Sequence, residues 1–110
     1  MNEASKTMEE VLEGIDFKNL NTKFISNVNA NFENNTKKIK SLLVDQVSSR
    51  VRWRESILLA ENAGPKVFVE VGNGKVLSGM NKRISKNISS QNLVDMKSIE
   101  QFIDLNKDML

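Results

Sequence analysis

The feature that most constrains the fold is the stretch of residues 67–83, VFVEVGNGKVLSGMNKR. Its first part is almost entirely apolar, with Glu70 as the one charge, which is typical of a strand covered on both faces in a parallel sheet. A glycine turn, Gly72-Asn73-Gly74, follows, and after it the apolar residues recur with helical period. A buried strand joined by a tight turn to an amphipathic helix predicts an α/β fold.

The rest of the chain alternates between helical and extended patterns. Apolar spacing predicts helices over residues 3–15, 36–49 and 53–63, with Asn34 or Asn35 as the N-cap of the second, and a last helix after the cap residue Asp95. Residues 22–29 and 87–94 suit short strands, and the Asn-rich residues 29–35 suit a turn. We therefore predict a partial parallel sheet of about three strands with flanking helices. Its unpaired apolar edge would favour self-association.

Composition excludes several kinds of site. The chain contains neither Cys nor His, so disulfides and thiolate sites are excluded, and proton transfer by this chain alone would rely on Asp, Glu or Lys. We expect no metal site and no cofactor. No apolar run reaches the roughly 18 residues of a membrane span and the N-terminus is polar and acidic, so we predict a cytoplasmic protein that does not bind membranes. The net charge of +2 does not select a partner.

The glycine turn has the layout of phosphate-binding loops but fails their sequence patterns. A Walker loop requires a glycine where this chain has Val69 and a Ser or Thr where it has Val76. A dinucleotide fingerprint requires a small residue in place of Leu77. A tight strand-to-helix turn is the favoured interpretation.

Ser78 lacks the flanking glycines of a nucleophile elbow. Glu70 stands at the carboxyl end of a predicted strand, where it either serves a site or accepts hydrogen bonds from nearby turn amides.

Two basic groups could bind an acidic partner. The first places arginines on both sides of an aromatic residue, in the order Arg50, Arg52, Trp53 and Arg54. Such a pattern can bind single-stranded nucleic acid, but Trp53 is predicted on the apolar face of its helix, so nucleic acid is disfavoured. The second group surrounds the glycine turn and consists of Lys75, Lys82, Arg83 and Lys86. The alternative function from these residues is a small basic module that docks an acidic protein or nucleic acid through Arg50, Arg52, Arg54, Lys82 and Arg83.

Three features together resemble the C-terminal segment of the malonyl-CoA:acyl carrier protein transacylase family. They are Gln46, the phrase VRW at 51–53 and the phrase EVGNGKVLSGMNKRI at 70–84. In that family the equivalent phrases read close to Gln-x-x-x-Pro-Val-x-Trp and Glu-Val-Gly-Pro-Gly-x-Val-Leu-x-Gly-Leu, with matching separation. Asn73 replaces the proline of the turn, and Arg50 replaces the other proline. The resemblance is specific in the later phrase and only a pattern in the first 40 residues.

The resemblance implies a place within a larger enzyme. The family transfers a malonyl group from coenzyme A to the phosphopantetheine arm of acyl carrier protein, using a Ser nucleophile and a His base upstream of the matched segment. Residues 1–110 would then be the C-terminal part of its hydrolase-like domain, inactive alone and completed by a separate N-terminal fragment if one exists. Gln46 matches the residue whose carbonyl orients the catalytic His. Lys82 and Arg83 fall where a basic surface could meet the acidic carrier protein.

Overall fold

The computed structural model describes residues 2–109, and the chain divides into two compact units, Met1–Leu59 and Ala60–Leu110. The elements in chain order are α1 (Glu3–Glu13), β1 (Ile25–Ser26), β2 (Asn31–Phe32), α2 (Thr36–Gln46), α3 (Trp53–Asn62), β3 (Val67–Val71), α4 (Val76–Ile84), β4 (Ser89–Leu93), α5 (Met96–Leu105) and a 3₁₀ turn (Lys107–Met109). None of the helices within residues 2–109 is long and apolar enough to cross a bilayer.

The first unit packs α1 against α2, and α2 also contacts β1. Its core contains the aliphatic side chains of Ile39, Val44 and Ile57, which are 4%, 7% and 6% exposed. Asn35 begins α2, because its side chain accepts hydrogen bonds from the amides of the following turn at 3.0 and 3.2 Å. The N-cap predicted at Asn34 or Asn35 is therefore confirmed at the second of these residues.

The first predicted strand is shorter than its pattern indicates and has a different partner. Ile25–Ser26 pairs antiparallel with Asn31–Phe32, inside the segment that we predicted to be a turn. Ala30, at a φ of 51°, closes this hairpin, and its amide donates to the carbonyl of Ser26 at 2.9 Å. Because this strand joins a local hairpin, the parallel sheet within residues 2–109 has two strands, not about three. The α/β class with parallel pairing and flanking helices is confirmed.

The second unit is a β3-α4-β4-α5 arrangement. Strands β3 and β4 pair in parallel from Val67 opposite Ser89 to Val71 opposite Leu93. Helix α4 contacts both strands, and α5 contacts β4. Because the parallel sheet has only two strands among residues 2–109, strand β3 lacks the neighbouring strand and the cover on both faces that its sequence predicts, and Val71 is 80% exposed. The parallel βαβ unit is formed, but much of its apolar surface faces solvent.

One edge of β3 has no strand beside it in the described part of the chain. The amide of Gly72, just past the strand, donates to the carbonyl of Leu93 in β4 at 3.0 Å. Since successive amides of a strand point to opposite edges, the amides of Val69 and Val71 point away from β4. These two donors are placed to pair with another strand.

Candidate functional site

The glycine turn joins β3 to α4 through two residues in the left-handed region. Gly72 and Gly74 have φ values of 129° and 93°, a conformation that favours glycine. A Cβ added to either residue would meet no atom within 4 Å, so the requirement for glycine is conformational and not steric. Asn73 is not among the positive-φ residues of the described chain, so the turn does not require a left-handed Asn at the position where the family has proline.

Glu70 caps α4 from the preceding strand. Its carboxylate accepts hydrogen bonds from the Ser78 amide at 3.0 Å, the Ser78 hydroxyl at 2.8 Å and the Leu77 amide at 3.3 Å. These bonds, the Ser78 amide foremost, hold the pKa of the Glu70 carboxyl below its usual value. The side chain of the N-cap residue Lys75 makes no capping bond. The structural interpretation of Glu70 is confirmed, and these helix amides are bonded to a carboxylate of the chain itself, not offered to a phosphate.

Asn92 holds the other side of the glycine turn, and our sequence analysis missed it. Its side-chain amide lies 2.6 Å from the carbonyl oxygen of Gly74, 3.3 Å from that of Glu70 and 3.4 Å from that of Gly72. Asn92 lies directly opposite Glu70 in the parallel register. No local signal in the sequence marks Asn92, because its role depends on the alignment of β3 with β4.

Gln46 is the last residue of α2 and borders a small apolar cavity of about 250 Å³ with Met8, Leu12, Leu43 and Val47. The last carbonyls of a helix have no partner inside the helix. The preceding carbonyls, of Val44 and Asp45, accept bonds from the next residues at 3.2 Å. Within residues 2–109, neither the main-chain nor the side-chain oxygen of Gln46 accepts a hydrogen bond. Gln46 therefore presents free acceptors beside an apolar cavity.

Lys82 and Arg83 are exposed in the last turn of α4, where cations interact favourably with the helix dipole. They lie in the second unit, and Gln46 lies in the first. Lys82 borders a groove between α4, β4 and α5, whereas Arg83 is not among the residues that line it. Lys82 is therefore exposed at the border of this groove, and Arg83 is exposed outside it.

One of the three arginines around Trp53, Arg52, is held by contacts within the chain. Arg52 lies 3.2 Å from the Glu55 carboxylate and donates to the carbonyl of Asn29 at 3.3 Å. It therefore fastens the hairpin segment to the start of α3. Trp53 is half-buried, in agreement with an apolar helix face. Arg52 is one of the five basic residues through which the alternative binding module would dock its partner. Its contacts give it a structural role instead.

Comparison with known proteins identifies the relatives of this chain. No model of a protein family matches it. The malonyl CoA-acyl carrier protein transacylase of Bacillus subtilis is 37% identical over 110 residues, which cover 98% of this chain and 34% of the relative. The transacylase of Haemophilus influenzae is 32% identical over 106 residues, which cover 94% of this chain and 34% of the relative. The chain is homologous to malonyl-CoA:acyl carrier protein transacylases. It spans about a third of the length of these curated relatives and corresponds to their C-terminal portion.

The solved transacylases share the fold as well as the sequence. The acyl-carrier-protein S-malonyltransferase of Bartonella henselae superposes with a TM-score of 0.84 at 34% identity, over 92% of this chain and 32% of that one. A malonyl-transacylase solved in complex with a holo acyl carrier protein superposes with a TM-score of 0.84 at 30% identity. The match covers 93% of this chain and 33% of that one. The resemblance found in the sequence is therefore confirmed, while the roles of Gln46, Lys82 and Arg83 stay predictions.

Proposed function

We propose that this chain supplies the C-terminal portion of a malonyl-CoA:acyl carrier protein transacylase and is inactive alone. The observation that carries the proposal is homology over 98% of the chain to an enzyme about three times its length. The 110 residues contain no His and no Gly-His-Ser-x-Gly elbow. The nucleophile and base of the transfer would therefore come from polypeptide outside them, in the cytosolic enzyme that the sequence predicts.

Gln46 is the proposed positioning residue for the missing base. A catalytic His needs an acceptor for the proton on its second ring nitrogen, which fixes its tautomer and orientation. Gln46 offers free carbonyl oxygens at the end of α2, beside a cavity lined by Met8, Leu12 and Leu43. An apolar wall next to an acceptor suits an imidazole ring that must be held in one orientation.

The partner that would complete the enzyme is an N-terminal fragment that covers the open edge of β3. The outward amides of Val69 and Val71 and the exposed side chain of Val71 support this assignment. A parallel sheet is normally covered on both faces and continued by further strands. In the absence of that fragment, the same edge would favour self-association of the chain.

The acyl carrier protein is the proposed macromolecular substrate, with Lys82 and Arg83 as contacts. Both side chains are exposed, and a basic surface suits an acidic carrier. The transacylase solved with a holo carrier protein supports this choice of partner. Such rim charges act mainly on encounter with the partner and on its dependence on salt, so they would affect KM for the carrier more than kcat.

The test is malonyl transfer from malonyl-CoA to holo acyl carrier protein, measured by mass spectrometry of the carrier. The chain alone should give no transfer above a protein-free blank. The N-terminal two-thirds of the B. subtilis enzyme should also give no transfer alone, and mixing the two should restore transfer. Enzyme-like transfer by the chain alone would overturn the proposal, as would a mixture that binds but never transfers.

The carrier contact is tested in the same restored mixture. Lys82→Gln/Arg83→Gln should raise KM for the carrier several-fold and leave KM for malonyl-CoA unchanged. The matched control, Lys66→Gln/Lys107→Gln, removes the same charge elsewhere in the second unit and should leave both constants unchanged. Equal effects of the two double variants would show that net charge, and not this surface, governs carrier binding.

A further inference from the structure

The second unit contains a groove of about 620 Å³ between α4, β4 and α5. Three lysines from different places in the fold border it: Lys75 at the N-cap of α4, Lys82 in its last turn and Lys97 in the first turn of α5. Small-molecule sites in proteins are typically concave, with volumes of roughly 300–1,000 Å³. The groove has the size of such a site and a strongly basic border.

No ion pair with another residue of the described range 2–109 neutralises the charges of these lysines. The ion pairs among residues 2–109 are Arg52–Glu55 and Lys107–Asp104, and neither involves a groove lysine. The one carboxylate that borders the groove, Asp95, accepts a hydrogen bond from the Ser98 amide at 2.8 Å and caps α5. Three ammonium groups therefore share the groove with a single carboxylate that is already engaged.

The neutral side chains that border the groove add hydrogen-bond donors. The Ser90 hydroxyl oxygen accepts a bond from the Asn81 amide at 3.3 Å, which leaves its proton free to donate. The side-chain amide of Gln101 makes no hydrogen bond to the described residues. Val94 is the sole aliphatic side chain among the lining residues. The ligand that such a groove suits is hydrophilic, anionic and rich in acceptors.

We infer that this groove binds a small hydrophilic molecule bearing a phosphate monoester, held by Lys75, Lys82 and Lys97. A phosphate monoester carries about −1.5 to −2 charge near pH 7 and three acceptor oxygens, and lysines bind phosphate as point charges. The helix amides near the glycine turn are not part of the site, because Glu70 occupies them.

This site goes beyond malonyl transfer and depends on the second unit alone. It is tested by titrating the full isotope-labelled chain with inorganic phosphate at constant ionic strength, followed by amide NMR. We expect saturable shifts confined to the residues that border the groove, including Ser90, Lys97 and Gln101. Shifts that are scattered over both units, or that never saturate, would overturn the inference.

Two triple variants make the test specific. Lys75→Gln/Lys82→Gln/Lys97→Gln should weaken phosphate binding by on the order of tenfold or more. The control Lys37→Gln/Lys38→Gln/Lys66→Gln removes the same charge from exposed positions outside the groove and should bind as the parent chain does. Both variants should keep the parent spectrum elsewhere. Equal weakening in both, or groove shifts with a poly-glutamate peptide but none with phosphate, would overturn the phosphate site.

Discussion

The two units of the chain differ in the apolar residues that they bury. The first buries the aliphatic side chains of Ile39, Val44 and Ile57, along with the polar residues Ser5, Ser26 and Ser56. Among the described residues of the second, the buried ones are polar: Ser78, Asn81 and Asn106. Meanwhile Val71 and Leu105 of the second unit are 80% and 78% exposed. The second unit therefore has the apolar surface of a protein interior without the chain that would cover it, as expected for one third of a larger fold.

Hydrogen bonds take the place of an apolar core in the second unit. Glu70 and Asn92 hold the glycine turn from two sides, and Glu61 accepts a hydrogen bond from the Ser85 hydroxyl at 2.9 Å. A typical intramolecular hydrogen bond contributes only about 0.5–1.5 kcal/mol net. The second unit is thus expected to be the less stable of the two until its apolar surface is covered.

The largest expected effect is in the core of the first unit. Ile39→Ala removes a side chain that is 4% exposed and should lower the free energy of unfolding by about 2–5 kcal/mol, from lost burial and a residual cavity. The matched change in the second unit, Val71→Ala, should stay within about 0.5 kcal/mol, because Val71 is exposed. Urea denaturation followed by amide NMR measures both changes. Similar losses for the two variants would contradict the contrast between the units.

A smaller effect is expected at the glycine turn. Asn92→Ala leaves the carbonyls of Glu70, Gly72 and Gly74 without their side-chain donor. It should lower the free energy of unfolding by about 1–2 kcal/mol. Asn73→Pro restores the proline of the family phrase. It should raise the free energy of unfolding by about 0.4–1 kcal/mol, because proline restricts the unfolded chain. Urea midpoints of the single and double variants measure both terms, with Asn87→Ala as the control for a surface Asn. If Asn92→Ala unfolds no earlier than Asn87→Ala, the side-chain tie is not stabilising.

The smallest expected effect is a dependence on pH. The pKa of Glu70 is lowered in the folded chain, so its contribution to stability is fully present above the unfolded pKa near 4.5 and is lost as pH falls through the folded value. Glu70→Gln removes this contribution. The stability difference between parent and variant should therefore shrink below about pH 4.5. Thermal unfolding from pH 7 to pH 3 measures it, and a constant difference would show that the carboxylate form does not stabilise α4.

Local signals predicted most of the elements. Asn35 and Asp95 begin helices because a side-chain oxygen reaches the amides of the next turn. The helix predicted over residues 53–63 ends at Asn62, and Gly64, at a φ of 123° and followed by Pro65, lies just past its end. The prediction that residues 67–71 and part of 87–94 form parallel strands is also confirmed. Each of these depends on residues close together in the chain.

Features that depend on register were not predicted. The contact of Asn92 with the glycine turn requires knowing that it lies opposite Glu70, and a single sequence does not encode that alignment locally. The β1–β2 hairpin was missed because its strands are two residues each and its turn contains Ala30 in place of glycine. The exposure of Val71 was missed because its sequence pattern describes a larger sheet than these residues form.

Hydrogen exchange at β3 tests most directly the claim that polypeptide outside this chain completes the fold. The amides of Val69 and Val71, which point to the open edge, should exchange rapidly in the chain alone. Addition of the N-terminal two-thirds of the B. subtilis relative should slow both by at least an order of magnitude, while the amide of Ile39 in the first unit stays unchanged. Unchanged exchange at Val69 and Val71 in a mixture shown to form a complex would contradict the account.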